Sequence, residues 1–170
     1  MQIAKSPRLS PNTVRAYAAT MRIALFQPEI AGNVGACLRL AACLGVAVDL
    51  IEPMGFTWDD ARVRRTAMDY IDHVAVTRHK GFDAFRETLD GARLILMTTK
   101  GAQSLYDAAF RETDTLLFGQ ESAGVPAEVA AASDFTLRIP IRSEVRSFNL
   151  ATSAALAIGE ALRQTGGLPR

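Results

Sequence analysis

The sequence predicts an α/β protein in which a mostly parallel sheet is flanked by helices. Two observations carry that expectation. From Met21 onward, short β-rich runs alternate with helical patterns, the order produced when crossover helices connect parallel strands. The strand runs are also apolar almost throughout, as strands covered on both faces are.

The first strand is "RIALF" (22–26), followed by a polar turn and the helix "NVGACLRLAACLG". In that helix Val34, Cys37, Leu38, Ala41 and Leu44 recur at helical spacing, with Asn33 placed to cap its start and Gly45 to stop it. "VAVDLI" (46–51) is the second strand, and a helix near 60–68 leads to a third, "HVAVT" (73–77). A helix near 82–90, the strand "RLILMT" (93–98), the strand "TLLFG" (115–119), a short helix after Pro126 and the strand "FTLRI" (135–139) follow. The last helix runs from about Asn149 to Gln164, with Leu150, Ala154, Ala157, Ile158 and Ala161 as its buried stripe.

The chain has 170 residues, enough to bury one substantial core without covalent staples. We divide it into an extension, residues 1–20, and one domain, residues 21–170. The extension holds Lys5, Arg8 and Arg15 but no acid, and lacks a helix-length apolar pattern. It is expected to add little to the fold. No apolar run is long enough to span a bilayer, so no membrane partner is expected. Cys37 and Cys43 read as buried thiols, which fits a reducing cytoplasm. Two cysteines and two histidines at scattered positions form no zinc pattern, so no metal is expected.

Net charge is +1, which gives no global case for nucleic-acid binding. A local patch is the alternative. Arg62, Arg64 and Arg65 fall together in "WDDARVRRTAMDY", partly offset by Asp59 and Asp60.

In open parallel sheets, ligands bind beyond the carboxyl ends of the strands. The loops there, "QPEIAGNVG", "EPMGF", "TTKG", "GQESAGVP" and "PIRSEVRSFN", hold most of the Gly, Pro and small polar residues of the domain. They match neither phosphate-cradling glycine pattern of the common nucleotide folds. "GQESAG" is not a serine-hydrolase elbow, because Gln120 stands where that motif needs glycine, and His73 and His79 come too early in the chain. A scaffold without chemistry does not account for Arg39 within an apolar helix, or for the Arg146, Ser147 and Asn149 cluster before the last one.

Three of these stretches, "NVGACLRL", "LLFGQESAGVP" and "IPIRSEVRSFNLATSAALAIGEA", resemble the three motifs of the SPOUT class of RNA 2′-O-ribose methyltransferases. "IEPMGFTWDDARVRRTAMDY" and "TTKG" look like its small subfamily that methylates the wobble nucleotide of tRNA, and the likeness spans about 22–165. The resemblance implies a SPOUT fold with a C-terminal deep trefoil knot, which sequence rules alone would not suggest. It implies S-adenosylmethionine as methyl donor, lined by Met97, Gly119, Ile139 and Ser147, with small residues at Gly119 and Gly124 where backbone passes closely. It implies Arg39 as the catalytic group, with Asn33, Glu121 and Asn149 orienting it. It implies tRNA, through its anticodon stem-loop, and a second copy of the chain as partners. The resemblance leaves the role of Arg39 open. The family assigns it removal of the 2′-hydroxyl proton, yet arginine stays protonated in proteins. Holding a phosphate or stabilising a developing alkoxide are the alternatives. Ribose methylation elsewhere in tRNA or ribosomal RNA, and a non-catalytic RNA-binding module, are the competing functions.

Overall fold

The computed structural model of the chain describes residues 21–58 and 68–170. Among them, seven strands form one sheet: β1 (Arg22–Phe26), β2 (Ala47–Ile51), β3 (Val76–His79), β4 (Leu94–Met97), β5 (Gln103–Ser104), β6 (Thr115–Phe118) and β7 (Phe135–Arg138). Their spatial order is β3-β2-β1-β6-β4-β7-β5, and every pairing is parallel. The helices described are α1 (Ala31–Leu44), α2 (Phe82–Arg86), α3 (Ala127–Ala131) and α4 (Leu150–Thr165). None of the described helices is long and apolar enough to cross a membrane.

Because strand side chains alternate between faces, the apolar runs build two cores. Ile23, Leu25, Val48, Leu50, Ile95, Met97, Leu116 and Phe118 face one side, where Val34, Cys37, Leu38 and Ala41 of α1 and Ala154, Ala157, Ile158 and Ala161 of α4 cover them. Ala24, Phe26, Ile51, Leu94, Leu96 and Leu117 face the other, beneath Phe85 of α2 and Val129 of α3. A polar cluster is also buried in the sheet: Asp49 Oδ1 lies 2.6 Å from the Arg22 guanidinium and 2.7 Å from His79 Nε2.

The expected α/β class and the buried stripe of α4 hold. Several details differ. Asn33 does not cap α1; the helix begins at Ala31, after an extended Ile30, and no side chain caps it. The third strand lies at Val76–His79 rather than 73–77, and the helix expected over 82–90 stops at Arg86. A 3-10 turn (Met68–His73) occupies part of the displaced strand, and β5 and a second 3-10 turn (Leu105–Asp107) carried no sequence signal. Cys37 is buried but Cys43 is exposed, since Cys43 sits on the outward side of α1. The extension 1–20, the helix near 60–68 up to Met68, and the arginines 62, 64 and 65 lie outside the described residues.

Candidate functional site

Strand register builds the site. Leu25 pairs with Phe118, Phe118 with Met97 and Met97 with Leu137. This row sets the carboxyl ends of β1, β6, β4 and β7 nearly level, so the loops after them open on one edge of the sheet. The strand order also reverses there: β2 lies on one side of β1, and β6 on the other. Such switch points are where α/β sheets bind ligands.

The loop leaving β1 turns at Gln27, whose φ of 46° lies in the left-handed region. This loop is tied to the loop after β6. Gln120 Nε2 donates to Gln27 Oε1 at 3.0 Å, and the Glu29 carboxylate accepts from the Ser122 N–H at 2.8 Å and its hydroxyl at 2.7 Å. Those Ser122 bonds hold the Glu29 carboxyl below its usual range. In return, the Glu29 N–H donates to Glu121 Oε2 at 3.1 Å. Sequence reasoning gave Glu29 no role, because one acid in a polar loop has no motif; only its partners in space distinguish it.

Asn33, Glu121 and Asn149 meet. Asn149 Nδ2 donates to Asn33 Oδ1 at 2.8 Å, and Asn33 Nδ2 donates to Glu121 Oε1 at 2.9 Å. The direction is set at both ends. Glu121 only accepts, and Asn149 Oδ1 is engaged as the N-cap of α4, accepting from Ala151 and Thr152 N–H groups at 2.9 and 3.4 Å. Asn149 is therefore both a helix cap and a member of the chain. One turn after Asn33 on α1, burial pushes the Cys37 thiol up to about 12, with the nearby Glu121 charge adding to the shift. It stays protonated near neutral pH.

Arg39 stands elsewhere on α1. Six positions after Asn33, it leaves the helix about 120° around the axis from it. It is exposed, and its guanidinium carbon sits 5.0 Å from the centroid of the Tyr70 ring, a cation–π arrangement.

The expected cofactor residues lie along the same edge. Met97 ends β4 and is buried. Gly119 follows β6, where a Cβ would stand 2.4 Å from the Gly124 carbonyl carbon. Gly124 itself has a φ of 72°. Ile139 follows β7 and is half-buried, and Ser147 is exposed on the segment leading to α4. That segment borders an open surface depression lined by Pro140, Ile141, Arg142, Val145 and Phe148. No group of metal-ligating side chains occurs among the described residues.

The family model described as the SpoU rRNA methylase family matches residues 20–159, almost the whole described domain. The chain belongs to the SpoU methylase family. A tRNA (cytidine(34)-2′-O)-methyltransferase of Beijerinckia indica is 50% identical over 87% of this chain and 94% of its own length. The protein of that name from Escherichia coli K12 is 40% identical over 86% of this chain and 94% of its own length. A solved structure described as "Structural insights into the 2-OH methylation of C/U34 on tRNA" is 44% identical and superposes with a TM-score of 0.82, covering 86% of this chain and 97% of that one. This SpoU methylase thus has the α/β fold expected for its class; the first of its three motif stretches lies in α1, and the other two supply the loops after β6 and β7.

Proposed function

We propose that this chain transfers a methyl group from S-adenosylmethionine to the ribose 2′-hydroxyl of the wobble nucleotide, position 34, of tRNA. One observation carries the reading: the Asn149–Asn33–Glu121 chain sits at the switch point of a SpoU methylase whose near relatives bear that activity in their names. S-adenosylmethionine, when bound, supplies an electrophilic methyl on a sulfonium. Met97, Gly119, Ile139 and Ser147 are the residues that would hold it. Fit is supported at Gly119, where a Cβ would stand 2.4 Å from the Gly124 carbonyl carbon, so that the loop after β6 offers only backbone to a bound molecule.

The protein's own contribution is alignment and charge. Glu121, locked by Asn33 and Glu29, fixes the loop that follows Gly119. Asn149 fixes the start of α4 against that loop. Arg39, whose guanidinium carbon lies 5.0 Å from the Tyr70 ring centroid, is a donor suited to a phosphate oxygen or to the alkoxide that develops as the 2′-hydroxyl loses its proton. Because arginine stays charged, we assign Arg39 electrostatic stabilisation rather than proton removal.

The stripe Leu150, Ala154, Ala157, Ile158, Ala161 and Leu162 is consumed by the chain's own core, so a homodimer would use the remaining flank of α4 at Ala155 and Gly159, together with exposed Val145 and Phe148. The trefoil knot is supported by β7 lying between β4 and β5. Consistent with close threading, a Cβ on Gly101 would fall 2.2 Å from the Leu137 carbonyl carbon. The anticodon stem-loop would be gripped by Arg39 and by arginines 62, 64 and 65. Mass spectrometry of anticodon nucleosides from cells with and without the protein tests the reaction. Loss of 2′-O-methylation at position 34 supports it; loss at another ribose shifts the target, and no change anywhere favours a binding module.

A further inference from the structure

We infer that Glu29 is a positioning residue for the site, the clamp that sets Glu121 and through it the amides of Asn33 and Asn149. The inference rests on the methyl-transfer reading for its kinetic consequence, though not for its geometry. Glu29 grips the loop after β6 in both directions. Its carboxylate accepts from Ser122 at backbone and hydroxyl, and its own N–H donates to Glu121 Oε2. Glu121 is thereby held at one oxygen by Glu29 and at the other by Asn33. With both oxygens engaged, its carboxylate plane has one orientation, and Asn33 can point its donor only one way.

A third loop bears on the clamp. The Gly55 N–H donates to the Pro28 carbonyl at 3.0 Å, and a Cβ on Gly55 would lie 2.8 Å from Glu29 Cα. Only glycine lets the 52–58 segment rest directly on the Glu29 backbone. That segment is itself ordered, since Arg78 pairs with Glu52 and its guanidinium carbon lies 5.3 Å from the Trp58 ring centroid. Glu29 is the point where the loops after β1, β2 and β6 converge.

A loop staple with no bearing on the site would show in stability alone, so the test reads position and turnover separately. Labelled S-adenosylmethionine and a tRNA transcript give kcat and KM, and amide-edited nuclear magnetic resonance follows the side-chain amides of Asn33 and Asn149. Glu29→Ala keeps the backbone N–H on Glu121 but loses both Ser122 bonds, and by releasing that loop it is expected to lower kcat roughly ten- to a hundredfold, the scale of a small misplacement of reacting groups, with both KM values little changed. The Asn33 amide resonances should shift. In a Glu121→Ala background, Glu29→Ala should have no further effect on kcat, since the group it positions is gone. Gly55→Ala, which alters no polar group, should reproduce a smaller form of both changes. Should Glu29→Ala fail to fold, Ser122→Ala removes one of its bonds and should shift the same amides. Unmoved Asn33 amides, or a kcat within twofold of the parent, would overturn the inference. A parent that methylates no RNA, with amides that still shift, would uphold the clamp and remove the reaction assigned to it.

Discussion

Asn33 and Glu121 are separated by 88 positions in the chain and by 2.9 Å in space. The contact joins the first turn of α1 to the loop after β6, and it exists because parallel register levels the ends of β1 and β6. Asn33→Ala should break the chain at its centre. A turnover loss of roughly tenfold or more, with S-adenosylmethionine affinity retained, is the expected result for a group acting on transition-state geometry. Asn33→Asp should be worse than alanine, because it replaces the donor with a second carboxylate facing Glu121. Steady-state kinetics beside calorimetric affinities check both.

Asn149 separates capping from site function. Asn149→Asp keeps the cap acceptor but loses the Nδ2 donor to Asn33. It should leave the melting temperature nearly unchanged while reducing turnover. Asn149→Ala should reduce both, with a stability cost of about 1 kcal/mol for a lost cap. Thermal melts paired with rates decide it.

Gly119→Ala tests the cofactor loop. Its Cβ would be 2.4 Å from Gly124 backbone, a contact no side-chain motion relieves. Calorimetry should show S-adenosylmethionine binding weakened severalfold or abolished.

The two thiols should differ sharply. Cys43 is exposed, whereas Cys37 is buried and pushed up to about 12. Since the thiolate is the nucleophile, iodoacetamide at neutral pH should modify Cys43 first and leave Cys37 intact until the fold opens. Peptide mass mapping over time measures this.

At the end of α4, Arg163 and Gln164 hold the Glu160 carboxyl down to about 2 from 4.5. A depressed carboxylate contributes stability that is present above its unfolded value and lost as pH falls through its folded one. The melting temperature of the native protein should therefore fall more steeply between pH 4.5 and 2 than that of Glu160→Gln.

Much of this fold was legible because its strands are short, apolar and regularly spaced by helical patterns. The stripe of α4 was readable for the same reason. Strand β5 was not, since two polar residues at a sheet edge carry no period, and its place beside β7 depends on how the chain returns. The shift of the third strand has a local cause: residues up to His73 wind into a 3-10 turn before the extended run begins. Asn33 looked like a cap because caps and site asparagines share one chemistry before a helix; the distant Glu121 decides between them. Glu29 and Tyr70 were invisible for the same reason, as each is defined by a partner far away in sequence.

The most direct measurement uses labelled S-adenosylmethionine with two tRNA transcripts that differ only at position 34, one carrying ribose and one 2′-deoxyribose. The proposed reaction requires label on the ribose transcript and none on the deoxy one, with Arg39→Ala reducing the first by a factor of roughly a hundred. Equal labelling of the two transcripts would contradict it.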